Sequence, residues 1–182
     1  PYQVHIAYNA EAELVYLVKA DGSAIAFYDA DLGALEETTV AIEGDINQLF
    51  AAVYNEADGL LYVGDANDDE VYTINPLDGT TNFYADAPVQ GGDLMLQGGI
   101  LYLAERGNVN RLHTVVADAD GIPDGDSEAT LIGSIPDETN GAASSATQNS
   151  FITANFGTSF FSEISNVDGS LIATYDAFVE GE

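Results

Sequence analysis

The chain has 182 residues, no cysteine, and 31 acidic side chains against three basic ones, for a formal charge of -28. That charge repels the phosphates of nucleic acid and of anionic lipid, which excludes both as partners. The missing cysteines exclude disulfides, thiolate metal sites and a cysteine nucleophile, and no apolar run approaches the ~20 residues of a membrane span.

The acidity is not that of a disordered tail, because 46% of the residues are hydrophobic and they are patterned. Read in chain order, short strands are predicted at Gln3 to Tyr8, Leu14 to Val18, Ala24 to Tyr28 and Glu36 to Ile42. A second group follows at Gln48 to Tyr54, Leu60 to Gly64, Val71 to Asn75 and Thr80 to Ala85. A third group covers Leu94 to Gln97, Ile100 to Ala104, Leu112 to Val116 and Ala129 to Ile135. The fourth covers Ala143 to Gln148, Phe151 to Ala154, Phe160 to Ser165 and Ser170 to Asp176. Its first strand is small and polar, so coil is an equal reading there.

Two landmarks keep step through these groups. The second strand is an apolar run: Leu14-Val15-Tyr16-Leu17, Leu60-Leu61-Tyr62-Val63, Ile100-Leu101-Tyr102-Leu103 and Phe151-Ile152-Thr153-Ala154. The turn after the third strand carries Gly after Asp or Leu: Asp31-Leu32-Gly33, Asp78-Gly79, Asp120-Gly121 and Asp168-Gly169. Gly supplies positive φ there, and Asp or Asn caps nearby backbone amides. An all-strand unit of roughly forty to fifty residues is the period of a β-propeller blade. The expected fold is therefore all-β, four four-stranded antiparallel blades at approximately residues 1–45, 46–90, 91–136 and 137–182. Four blades could close on themselves, pair with a second chain into eight, or form part of a larger propeller. The start at Pro1 without an initiator Met points to a processed or excised piece.

Within the second unit, Leu61-Tyr62-Val63-Gly64-Asp65-Ala66-Asn67, Val71-Tyr72-Thr73-Ile74 and Leu77-Asp78-Gly79 resemble the YVTN-type propeller repeat. The match departs at Gly64-Asp65, where that family has Thr-Asn. The resemblance implies a propeller of prokaryotic surfaces or secreted proteins and no single activity.

Candidate sites are acidic. In the third unit the outer turn lengthens to a loop carrying Asp118, Asp120, Asp124, Asp126 and Glu128 with Gly121 and Gly125. Convergent carboxylates of this kind hold calcium, and the Asp-x-Asp-Gly spacing resembles thrombospondin-type calcium loops. The EF-hand spacing fails, since its first and twelfth ligand positions fall on Val116 and Ser127. The bland reading is a solvated hairpin loop. A second acidic loop runs from Asp65 to Glu70. Asp45, Asp93 and Asn140 precede inner strands, where they could ring the mouth of a central channel or simply cap local amides.

His5 and His113 have no second ligand at zinc spacing, and no Gly-x-Ser-x-Gly elbow or triad order stands out. Tyr16, Tyr62 and Tyr102 read as blade-packing residues, and Phe160 and Phe161 as a docking edge, with Phe156 close by. The expected function is a non-enzymatic extracellular or cell-surface module for protein interaction, assembly or adhesion, with calcium as a stabiliser. Its partner would be another protein or further copies or blades of the same assembly. The alternative is a metal-dependent propeller hydrolase or lactonase with a divalent ion in the channel.

Overall fold

A computed structural model describes residues 3–88, 92–106, 110–135, 139–144, 149–155 and 160–176. The first blade contains β1 (Val4–Asn9), β2 (Leu14–Lys19), β3 (Ala24–Asp29) and β4 (Ala34–Ala41). The second contains β5 (Leu49–Asn55), β6 (Leu60–Asp65), β7 (Glu70–Ile74) and β8 (Thr81–Asp86). The third contains β9 (Gly92–Gln97), β10 (Ile100–Glu105), β11 (Arg111–Val115) and β12 (Ala129–Ser134). The fourth contains β13 (Thr139–Ser144), β14 (Ser150–Asn155), β15 (Phe160–Ser165) and β16 (Leu171–Asp176). Each blade is a meander, every strand hydrogen-bonded antiparallel to its sequence neighbour. No helix occurs among the described residues. The architecture is a four-bladed β-propeller.

Side-chain alternation makes both faces of a blade apolar. In β2, Tyr16 and Val18 point to one side and Val15 and Leu17 to the other. Blade one gives Tyr16, Val18, Ile25 and Phe27 to a core shared with Leu49, Leu61, Val63 and Ile74 of blade two. Tyr62, Val71 and Ala85 of blade two pack on Leu94, Leu101 and Leu103 of blade three. Met95, Tyr102 and Leu112 of blade three then meet Phe151 and Ile164 of blade four. Full burial of one such Leu, Ile or Phe contributes about 1.5–3 kcal/mol, so these three seams hold the array together. The tyrosines at the third position of the second strand all point to the next blade. Tyr16 tilts onto Tyr54 at a centroid distance of 5.0 Å, and Tyr102 meets the edge of Phe151 at 4.8 Å.

The inner strands β1, β5, β9 and β13 stand side by side in that order. Among the described residues, β13 is not packed on β1 as the other neighbours are on one another. Among the described residues, the four blades thus form an arc with two end faces.

Two strand expectations needed adjustment. β13 lies at Thr139–Ser144, about four residues earlier than Ala143 to Gln148, and residues 145–148 lie outside the described set. The segment has no alternation to set its place; its Ala142 amide is drawn onto Asp93 of blade three at 2.5 Å. β14 begins at Ser150, so Ile152 takes the position of Tyr16, one residue from the expected alignment.

Outer turns staple each blade to the one before it. The Glu43 amide donates to Gly79 O at 2.9 Å, and Thr81 Oγ1 donates to Glu43 O at 2.8 Å. A Cβ on Gly79 would stand 1.9 Å from Ala41 O. At the next equivalent turn but one, Asp168 O approaches so closely that a Cβ on Gly133 would sit 1.9 Å away. The equivalent glycine of blade one, Gly33, has among the described residues only Tyr28 Oη near it, at 3.8 Å.

This contrast separates backbone strain from blade contact. Gly79 and Gly33 both have positive φ, 81° and 64°. Gly33→Ala is expected to cost about 1 kcal/mol from φ strain alone. Gly79→Ala adds a clash with a neighbouring backbone and is expected to cost at least about 3 kcal/mol. Urea denaturation of the two variants checks this; equal losses would show that the Gly79 turn is not seated on blade one.

Candidate functional site

The long acidic loop of blade three is folded back on blade two. The Asp118 amide donates to Tyr84 O at 2.7 Å and the Glu128 amide to Asp86 O at 2.9 Å. Glu128 Oε2 accepts the Asp86 amide at 2.7 Å. The buried Asp86 carboxylate accepts the amides of Asp124 and Gly125 at 3.1 and 3.0 Å. The loop of blade three is therefore fastened to the outer strand of blade two by backbone amides and by two carboxylates, Glu128 from the loop and Asp86 from the strand.

The remaining loop carboxylates cap local amides. Asp118 Oδ2 accepts the Ile122 amide at 2.9 Å, Asp120 Oδ1 accepts the same amide at 3.1 Å, and Asp124 Oδ1 accepts that of Asp126 at 2.8 Å. The Ile122 amide holds Asp118 below the usual carboxylate range, and the hydrogen bond shared with Asp118 pushes Asp120 above it. Asp126 is exposed. Among the described residues, no group of three or more His, Asp or Glu side chains gathers as a metal site would. In the second acidic loop, buried Asp65 likewise accepts the amides of Asn47 and Asn67, both at 2.8 Å.

The three residues expected at the channel mouth occupy different settings. Asp45 is exposed. Asp93 is half-buried in the seam between blades three and four, where its two oxygens accept the amides of Leu94 at 2.9 Å and Ala142 at 2.5 Å. Asn140 lies on β13, and its side chain is outside the described set. Loss of water around Asp93 pushes its pKa up to about 7, against the two amides, which lower it.

The histidines are also structural in their contacts. His5 Nε2 donates to Leu49 O across the first seam at 2.6 Å, and burial lowers its pKa. Buried His113 points Nε2 at Glu105 Oε2, 2.8 Å away, while its buried Nδ1 has no partner among the described residues.

Two concave regions open beside the inner strands. One, of about 420 Å³, is bordered by Gln3, His5, Leu49, Gly92 and Arg106. The other, of about 610 Å³, lies where blades one and two meet and is bordered by Lys19, Asp21, Gln48 and Leu49. Lys19 and Arg106 are two of only three basic residues in the chain. Their gathering on this side was not foreseen, although their rarity was a usable signal. The clefts offer hydrogen-bonding groups of both signs, which suits polar side chains of a partner.

No family model matches the chain, and no curated protein matches it by sequence. Solved structures do match in fold. The chain is similar to Kuenenia stuttgartiensis hydrazine synthase, with 16% identity and a TM-score of 0.59, over 94% of this chain and 48% of that one. It is similar to a chain of the nidogen/laminin complex, with 11% identity and a TM-score of 0.60, over 95% of this chain and 79% of that one. It is similar to the Cps50 (Swd1) β-propeller domain of Myceliophteria thermophila, with 12% identity and a TM-score of 0.56, over 96% and 55%. At these identities the likeness is one of fold, and the class is β-propeller. The chain spans about half the length of the first and last of these. The YVTN-type repeat remains a resemblance confined to the second unit.

The Asp93 carboxylate sets a pH dependence. Its folded pKa is raised above that of the unfolded chain, so folding favours the protonated form, and its share of stability falls as pH rises from about 4 to about 7. Asp93→Asn removes that titration while keeping one acceptor. The expected outcome is a flatter stability profile for the variant between pH 4 and 8, read by urea denaturation. Parallel profiles for the two proteins would show that Asp93 does not titrate in the seam.

Proposed function

We propose that this chain is a non-enzymatic β-propeller module that binds protein partners, working at a cell surface or in secretion as a YVTN-like propeller. The observation that carries the reading is the array of blades that presents the Lys19 and Arg106 clefts on an otherwise strongly acidic surface. Two basic groups and His5 beside polar backbone make a recognition surface for an acidic or polar segment of another protein. The folds it is similar to include a chain of a nidogen/laminin complex, which supports protein recognition on such a scaffold. The surface charge supports an extracellular, salt-rich setting, in which counterions screen self-repulsion.

The test is affinity capture from the native source, followed by titration of the purified partner. Lys19→Glu combined with Arg106→Glu is expected to weaken binding at least about tenfold, with the loss concentrated at low salt. A freestanding monomer that turns over a saturable substrate would overturn the reading.

Calcium belongs to the same proposal as a stabiliser of the Asp118–Glu128 loop. A site of submillimolar affinity, saturated a hundredfold, adds about 2.7 kcal/mol. For a chain of this size that is a rise in Tm of about 5–10 °C. The rise is expected with calcium, smaller with magnesium, and absent in Asp120→Asn combined with Asp124→Asn. A melting curve indifferent to millimolar calcium would remove calcium from the account.

A further inference from the structure

The end faces of the arc are the two halves of one junction. On blade one, the face turned away from blade two carries Val4, Ile6, Tyr8 and Leu35, which are 44%, 64%, 51% and 62% exposed. Cross-strand pairing puts Ile6 beside Leu17 and Tyr8 beside Val15 on that face. The same positions on blade two are Tyr54, Leu61 and Val63, and there blade one covers them. Blade one thus displays, uncovered among the described residues, the surface with which blade two grips its predecessor.

Blade four displays the mate. Its face away from blade three holds Ile152, Ala154, Phe161 and Tyr175, the last two 40% and 47% exposed, together with Glu163, whose carboxylate accepts the Tyr175 hydroxyl. Ile152, Ala154 and Phe161 stand where blade one has Tyr16, Val18 and Ile25, the residues that receive blade two. A third, independent sign is Gly33. Its turn is the homologue of the Gly79 turn that seats on the preceding blade, and among the described residues only its own Tyr28 approaches it.

From these observations we infer that a second copy of this chain occupies both faces, blade four of each copy packing on blade one of the other to close an eight-bladed ring. A twofold axis makes both junctions at once and leaves neither end face exposed. The arc is shorter than the propeller-like chains it matches, spanning 48%, 55% and 79% of three of them. Pairing brings together two chains of charge -28, so the ring forms with salt. The inference goes beyond protein recognition at the clefts: a monomer that still binds a partner there would sink the ring and keep the recognition.

Sedimentation equilibrium of the full chain in 0.1 M and 2 M sodium chloride tests it. The expected result is twice the 19.2 kDa chain mass at high salt and partial dissociation at low salt. Mass fixed at one chain in both buffers, or growth into open filaments, overturns it. Ile6→Asp and Phe161→Asp, both at exposed positions, should each abolish the pair while circular dichroism stays native. Val4→Glu and Tyr175→Glu stand in should either of those fail to fold. Mixing the blade-one variant with the blade-four variant then restores a weaker pair, because one of its two junctions is wholly unmodified. A blade-four variant that still dimerises, or a mixture that stays monomeric, overturns the head-to-tail arrangement.

Discussion

Everything in this protein depends on sheets packing face to face. A single four-stranded meander has too little core to stand alone. Here each one buries a face on its neighbour, and the tyrosines at the third position of the second strands carry the contact from blade to blade. The seams, not the individual sheets, are the cooperative units. That is why the interior resembles a stack of repeats more than one central core, with each blade answering only to the blades beside it.

The acidity and the core are solved separately. Several carboxylates occupy turns, where Asp21, Asp29, Asp58, Asp78 and Asp168 accept amides two or three residues away and do the work that other chains give to Ser or Asn. A few are recruited across blades. Asp86 holds the long loop of blade three, and Asp93 holds the inner strand of blade four. Glu163, buried on blade four, accepts the hydroxyls of Ser150 and Tyr175, which hold it below the usual carboxylate range. The chain thus uses acid as structural glue where basic partners are almost missing.

The propeller was legible because two local signals repeat. Apolar alternation around Tyr16, Tyr62 and Tyr102 marks the buried second strands, and the Gly33, Gly79 and Gly169 turns mark the return to the outer strand. Both are properties of adjacent residues, and the structure reproduces them. β13 was misplaced because Gly141, Ala142 and Ala143 carry no period, and its position follows from a contact with Asp93 some fifty residues away. The one-residue slip on β14 arose because Ser150 reads as turn although it is already paired with Ser165. The candidate sites were legible as clusters of acids but not as arrangements. Which amide each carboxylate would accept depends on how blades meet, and that information lies between distant segments. The Lys19 and Arg106 clefts were hidden for the same reason.

The stapling runs in one direction along the chain. The outer turns of blades two, three and four are each anchored on the blade before, so β4, β8 and β12 are each clasped by a successor. Among the described residues β16 has none, and nearly all of its side chains face water. Pulled or warmed, such an array would fray like a spiral binding from its loose coil: β16 peels away first, and blades one and two, with their shared aromatic seam, are the last to part.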